Sequence, residues 1–215
     1  MSESLRDLLG LHPSSPVLAQ HLIPLSTQTP IPQIKSYPDA VYFNYFSIGL
    51  SLLFSPENGY KLTTGLKLHE LDNDKLVLES IYIYNIPPRD AQTTHPRSKG
   101  TSSHTAETAY STYPDFPLAL VLTADARDKD GTLPRPTKLN VLADTSGKDF
   151  VQALGEPDRK GGGAGPSSGS IGIWCEWSKD GVMVEFGGDE AKGPQAWERG
   201  KDAVWKIMTI FSPTI

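Results

Sequence analysis

The stretch Trp174-Cys175-Glu176-Trp177-Ser178-Lys179-Asp180-Gly181-Val182-Met183-Val184-Glu185-Phe186 decides how the chain reads. Two runs alternating between apolar and polar residues flank Asp180-Gly181, a dipeptide that favours the backbone conformations of tight hairpin turns. Successive side chains on a strand point to opposite faces. With a turn of either two or four residues, pairing puts Ile173, Cys175, Trp177, Val182, Val184 and Phe186 on one face. Trp174, Glu176, Met183 and Glu185 fall on the other. The first set is an apolar stripe that helices should cover. In the second, a tryptophan and a methionine sit among acids, a mixture suited to anchoring another protein, so these four residues are the candidate protein-binding site.

Outward from the hairpin, Ser146 is placed to cap a helix over about residues 148–154, with Phe150, Val151 and Leu154 on one side and Gly155 and Pro157 ending it. A closing strand covers about 204–211. The same order of elements occurs earlier in the chain. Leu8-Leu9-Gly10-Leu11-His12-Pro13 parallels Ala153-Leu154-Gly155-Glu156-Pro157, Phe46 to Phe54 parallels Trp177 to Phe186, and Ile81 to Pro87 parallels Ile207 to Pro213. The pattern predicts an α+β protein of two diverged repeats, each a helix plus an antiparallel β-meander, with the helices on one sheet face. The first repeat spans 1–88 and the second 116–215.

In the first repeat the sequence predicts short helices over 5–11 and from Ser15 to about 22, then strands over 41–46, 49–54, 60–68 and 75–85, separated by Asn58-Gly59 and Asp72-Asn73-Asp74. A two-residue turn at Ile48-Gly49 and a three-residue turn that includes Ser47 put opposite faces of Tyr42 to Phe46 inward, and both stay open. Between Pro87 and Asp115 ten residues are Ser or Thr, with no Leu, Ile, Val, Met, Phe or Trp. Such a segment cannot offset the entropy of ordering and reads as a disordered insert over 89–115. Strand character resumes at 116–122, with a short piece at 139–142.

The 215 residues are enough for a sizeable core, and 19 Gly with 18 Pro make the chain loop-rich. Its net charge of −5, from 20 Lys+Arg against 25 Asp+Glu with the basic residues scattered singly, argues against nucleic acid as a partner. The most apolar run, Val41 to Phe54, is broken by Asn44, Ser47, Gly49 and Ser51 and is shorter than the roughly 18 apolar residues of a membrane span, so no membrane insertion is expected. An acidic N-terminus and the lack of any Asn-x-Ser/Thr acceptor lead to the expectation of a cytoplasmic protein.

Several motifs carry a resemblance. Phe116-Pro117-Leu118-Ala119-Leu120, the Ser146 helix, Ala153 to Pro157 and the tryptophan hairpin through Phe186 resemble small, mostly uncharacterised bacterial proteins that combine a strand, a helix ending in L-L-G-x-P and a Trp-bearing hairpin. The unit is similar in layout to the β-lactamase-inhibitor-protein and BamE-like repeats. Tyr42-Phe43-Asn44-Tyr45-Phe46-Ser47-Ile48-Gly49-Leu50 resembles a stretch of the phagophore-assembly-factor family. These resemblances imply binding to other proteins and bring no catalytic residue; the bacterial one also implies an immunity-type inhibitor of a toxin enzyme.

No residue pattern marks a reaction centre, a cofactor or a metal site. His12, His21, His69, His95 and His104 lack partners at ligand spacing. In Lys160-Gly161-Gly162-Gly163-Ala164-Gly165-Pro166-Ser167-Ser168-Gly169 the lysine precedes the glycines, so the loop is not a phosphate cradle. Asp128-Lys129-Asp130-Gly131 lacks the first and twelfth ligands of a calcium loop. Cys175 reads as a packed residue beside Trp174 and Trp177. A competing class is an enzyme or small-ligand binder with its site between the repeats, near Cys175, Trp177 and a histidine brought in by folding.

Overall fold

The computed structural model describes residues 4–86, 109–123, 135–163 and 172–214. Its strands are β1 (Gln33–Ser36), β2 (Val41–Tyr45), β3 (Leu50–Pro56), β4 (Leu76–Tyr84), β5 (Leu118–Val121), β6 (Lys138–Val141), β7 (Arg159–Gly161), β8 (Trp174–Trp177), β9 (Val182–Phe186) and β10 (Trp205–Phe211). The α-helices are α1 (Pro16–Leu22), α2 (Gly147–Leu154) and α3 (Ala196–Arg199). Eight strands form one antiparallel sheet in the order β1-β2-β3-β4-β10-β9-β8-β7, and β5 pairs with β6 apart from it. The α+β expectation holds. Each half supplies a short edge strand, a hairpin and a closing strand, and the two closing strands pair at the centre, with Ile83 opposite Met208 and Ile81 opposite Ile210.

Both hairpins use a four-residue turn, setting Tyr45 opposite Leu50 and Trp177 opposite Val182. Each turn is a single 3₁₀ turn that ends on a left-handed glycine: Gly49 at φ 58°, ψ 40° and Gly181 at φ 57°, ψ 41°. Neither turn length considered for the first hairpin is the one adopted. The observed one sends Val41, Phe43 and Tyr45 into the core and Tyr42 to the opposite face. Tyr45, not Phe46, therefore stands where Trp177 stands in the other half. Likewise Met208, not Ile207, occupies the place of Ile81, since Leu52 pairs with Ile81 and Val184 with Met208. One-residue β-bulges, at Glu79 in β4 and Lys206 in β10, interrupt the alternation of the two closing strands.

The inward stripe packs as one cluster with Leu5, Leu8, Leu18, Leu22, Phe150 and Leu154 from the helical segments and with Leu118, Leu120 and Val141 from the small sheet. Two tryptophans fully buried in it have their indole N–H groups satisfied. Trp177 Nε1 donates to the Gly155 carbonyl (2.9 Å) and Trp205 Nε1 to that of Leu142 (2.7 Å). Ser146 caps α2, with the Asp149 carboxylate accepting from the Ser146 backbone N–H at 2.8 Å.

Four expectations are corrected. Residues 5–11 form only a 3₁₀ turn, Leu5–Leu8, because Leu9 is already extended at ψ 141° and Gly10 follows at φ 81°. Residues 60–68 are a loop; Gly65 at φ 88° breaks the extended run, and Ser36 holds it through the Gly65 and Leu66 N–H groups. The short edge strands β1 and β7 lie outside the expected strands, β7 ending at Gly161 where the glycine run begins. Packing also resumes before residue 116. Tyr110 stacks on Tyr84 with ring centroids 3.6 Å apart and its hydroxyl donates to Asn44 Oδ1 (2.5 Å), while Tyr113 enters the core. These tyrosines supply the buried area that the missing aliphatics do not. Residues 89–108 of the expected insert lie outside the described residues.

The second hairpin carries a buried ion pair where the first carries Ile48. Asp180 is 1 % exposed; its carboxylate meets Arg135 Nη2 at 2.6 Å and accepts from the Thr123 N–H at 2.9 Å. Arg6 donates to the Asp180 and Val121 carbonyls, which ties the N-terminal turn to the hairpin and to β5. Removing the carboxylate strands Arg135 in a low-dielectric site. Asp180→Ala is expected to cost about 3 kcal/mol or more in urea denaturation, and Asp180→Ile with Arg135→Met to recover most of it. At the glycines, an added Cβ would collide with the Ser111 carbonyl at Gly49 and with the Phe211 carbonyl at Gly181. Gly49→Ala and Gly181→Ala should each lower stability by about 2–4 kcal/mol, and Ala at the unobstructed Gly59 by markedly less.

Candidate functional site

The site is the sheet face turned away from the helices. Its central row follows from the register: Asn44, Ser51, Tyr82, Thr209, Met183, Glu176 and Arg159 lie side by side from β2 to β7. A second row runs Tyr84, Ile207, Glu185, Trp174 and Gly161. Trp174, Glu176, Met183 and Glu185 are thus brought together on this face, all partly buried. Trp174 lies on Gly161 of the edge strand, where a Cβ would come within 2.7–2.9 Å of the indole. Glu176 is held by Arg159 at 3.3 Å and by the Ser178 hydroxyl at 2.7 Å. The edge strand and its glycine cover part of the tryptophan.

Sequence reasoning missed the opposite end of the same face. The β1–β2 turn, closed by the Tyr37 N–H donating to the Ala40 carbonyl at 2.8 Å, brings Tyr37 and Asp39 beside Tyr42. Tyr37 and Tyr42 meet edge to face with centroids 5.9 Å apart at 88°, and Tyr82 follows at 6.2 Å and 45°. The bulge in β4 turns Glu79 outward, where it accepts a hydrogen bond from the Ser55 hydroxyl. Tyr37, Asp39, Ala40, Tyr42, Leu53 and Glu79 line an open cleft of about 450 Å³. Alternation of Tyr82 and Tyr84 with Ile81 and Ile83 is the sequence signal that could have found it. The unresolved turn length left the face of Tyr42 undecided.

Cys175 borders a second, apolar cavity of about 260 Å³ between α2 and α3, lined also by Val151, Ile173, Phe186 and Trp197. All its lining residues come from the second half, so it does not lie between the halves, and the described lining includes no histidine. Burial pushes the Cys175 thiol up to about 11, opposed by Lys160, so the sulfur is a neutral thiol and not a ready nucleophile at neutral pH. His12 bonds the Leu76 carbonyl through Nδ1 at 2.8 Å, His21 stands at the end of α1, and His69 sits in a surface 3₁₀ turn. His95, His104, the Asp128–Gly131 stretch and residues 164–169 of the glycine loop lie outside the described residues. Among the described residues no group of three or more His, Cys, Asp or Glu could hold a metal ion, and no helix is long and apolar enough to cross a membrane.

Burial also raises the tyrosine hydroxyls: Tyr45 to about 12, and Tyr82 to about 12 with Tyr42, Glu79 and Glu185 adding to the effect. In the unfolded chain these groups lose protons near their ordinary values, roughly 10 for Tyr and 8.5 for Cys. Between those values and the folded ones the native state holds more protons than the unfolded state. The stabilisation is therefore complete below about pH 8 and is lost as pH rises through 11 to 12. Urea midpoints measured at pH 8, 9.5 and 11 should fall steadily, with tyrosinate absorbance lagging that of the denatured chain.

Compared with family models, with curated proteins and with solved structures, the chain matches none.

Proposed function

We propose that the chain is a non-catalytic protein-interaction module that binds through the sheet face opposite its helices. The observation that carries this reading is the surface of that face. Tyr42, Tyr82, Trp174 and Met183 are half-buried there, with acids among them, while Tyr110 stacks on Tyr84 and hydrogen-bonds Asn44 on the same face. Large amphipathic side chains lose little conformational entropy on docking and present broad apolar area with polar tips. The coincident registers of the two hairpin-plus-strand units also support descent of both halves from one ancestral unit, which would double such a face.

A second reading, a small-ligand binder, is supported by the apolar cavity beside Cys175, with Val151 and Trp197 more than two-fifths exposed at its mouth. One experiment weighs both. Affinity capture from native cells would compare wild type, Trp174→Ala with Met183→Ala, and Val151→Trp, with matched circular dichroism and melting as the folding control. Loss of partners from the face variant alone is the expected result. An identical partner set for wild type and the face variant would end the case for this patch.

A further inference from the structure

We propose that Tyr37, Asp39, Tyr42 and Glu79 form a receptor for an arginine side chain presented by a partner protein. The proposal rests on the interaction-face reading above and names the chemistry of what docks there. Two tyrosine rings in edge-to-face contact, at 88° with centroids 5.9 Å apart, line the cleft. Aromatic faces carry negative charge density and attract a cation within about 6 Å of the ring centre. Asp39 and Glu79 line the same cleft as carboxylates. Asp39 is exposed and has no hydrogen-bond or ion-pair partner among the described residues. Glu79 is aimed outward by the bulge and spends one oxygen on the Ser55 hydroxyl.

A planar guanidinium fits this set better than an ammonium, because it stacks on a ring while its edge donates to carboxylates, and it is less strongly hydrated. The cleft is open and joins the central row of the face through Tyr82, so the occupant is a side chain on a larger surface and not a sequestered small cation. Charge complementarity has the same sign: the chain carries −5 overall, and Arg159 on this face is already engaged with Glu176. The chain's own nearest cation by register is Lys35, opposite Tyr42 on β1 and exposed. It can compete for the cleft and cannot be part of the receptor.

The test is heteronuclear NMR titration of the intact chain with acetyl-arginine amide, acetyl-citrulline amide and the peptide Ala-Ala-Arg-Ala-Ala. Citrulline keeps the shape of arginine without its charge. The arginine probes are expected to shift resonances of 37–42, 79 and 82, citrulline to leave them unmoved, and the peptide to bind more tightly than the single amide through flanking contacts. Asp39→Asn and Glu79→Gln, both surface changes checked by unaltered melting, should each weaken binding about fivefold. Lys35→Ala should bind at least as tightly as wild type. Equal shifts from citrulline, shifts confined to other parts of the molecule, or no loss in the Asp39 and Glu79 variants would overturn the receptor. A peptide no tighter than the amide would overturn the protein source and leave only a small-cation site. Partner capture that still depends on Trp174 and Met183 would keep the interaction face standing in either case, so the two failures are separable.

Discussion

The backbone pairing of β4 with β10 holds the molecule together as one object. At this seam Ile83 faces Met208 and Ile81 faces Ile210, all buried on the helix side, so the ladder hydrogen bonds form inside an apolar layer where an unpaired amide would be costly. Joining the two closing strands turns two four-stranded pieces into one sheet. It removes two edges, so that among the described residues the ends of this sheet are the short strands β1 and β7. It also makes the outer face continuous, which is how Tyr82 in one half comes under the influence of Glu185 in the other.

The helical cover is thin. α1 has seven residues and α2 eight, and these alone do not hide an inner face that runs across eight strands. The N-terminal turn and the β5–β6 pair complete the layer, and a charged clasp fixes them: Arg6 and Arg135 converge on Asp180 at the tip of the second hairpin. The equivalent position in the first hairpin, Ile48, is buried among apolar neighbours. The same turn geometry is thus stabilised by dispersion in one half and by a desolvated ion pair in the other, as expected when the local backbone is set by Gly49 and Gly181 and the side chain beside it only has to fill or pair.

The half-buried outer face and the glycines are linked. Gly161 lets the Trp174 indole lie down on an edge strand, whereas at the other end Tyr37 and Tyr42 meet edge to face and line an open cleft with Asp39 and Glu79. One end of the face is therefore closed by its own side chains and the other is open. The open end carries Asp39 and a bulge residue, Glu79, features of the kind that re-aim side chains at binding sites.

The alternation around Asp180-Gly181 determined which face each side chain of the second hairpin takes: its inward stripe and the outward placement of Trp174, Glu176, Met183 and Glu185 were legible, because turns of two and four residues share one parity, whereas the register itself, with Trp177 opposite Val182, was decided by the four-residue turn of the structure. The Ser146 cap and the α+β class were legible for the same local reasons. In the first hairpin the turn length was not legible, since Phe46-Ser47-Ile48 offers no Asp-Gly or Asn-Gly signal, and its 3₁₀ turn lies against the Ser111 and Tyr113 backbone, far along the chain, beside Gly49. The cleft was not legible either. It needs a bulge at Glu79 and a turn at 37–40 to meet from strands far apart in the chain, and such a meeting is fixed by long-range pairing, which no local pattern encodes.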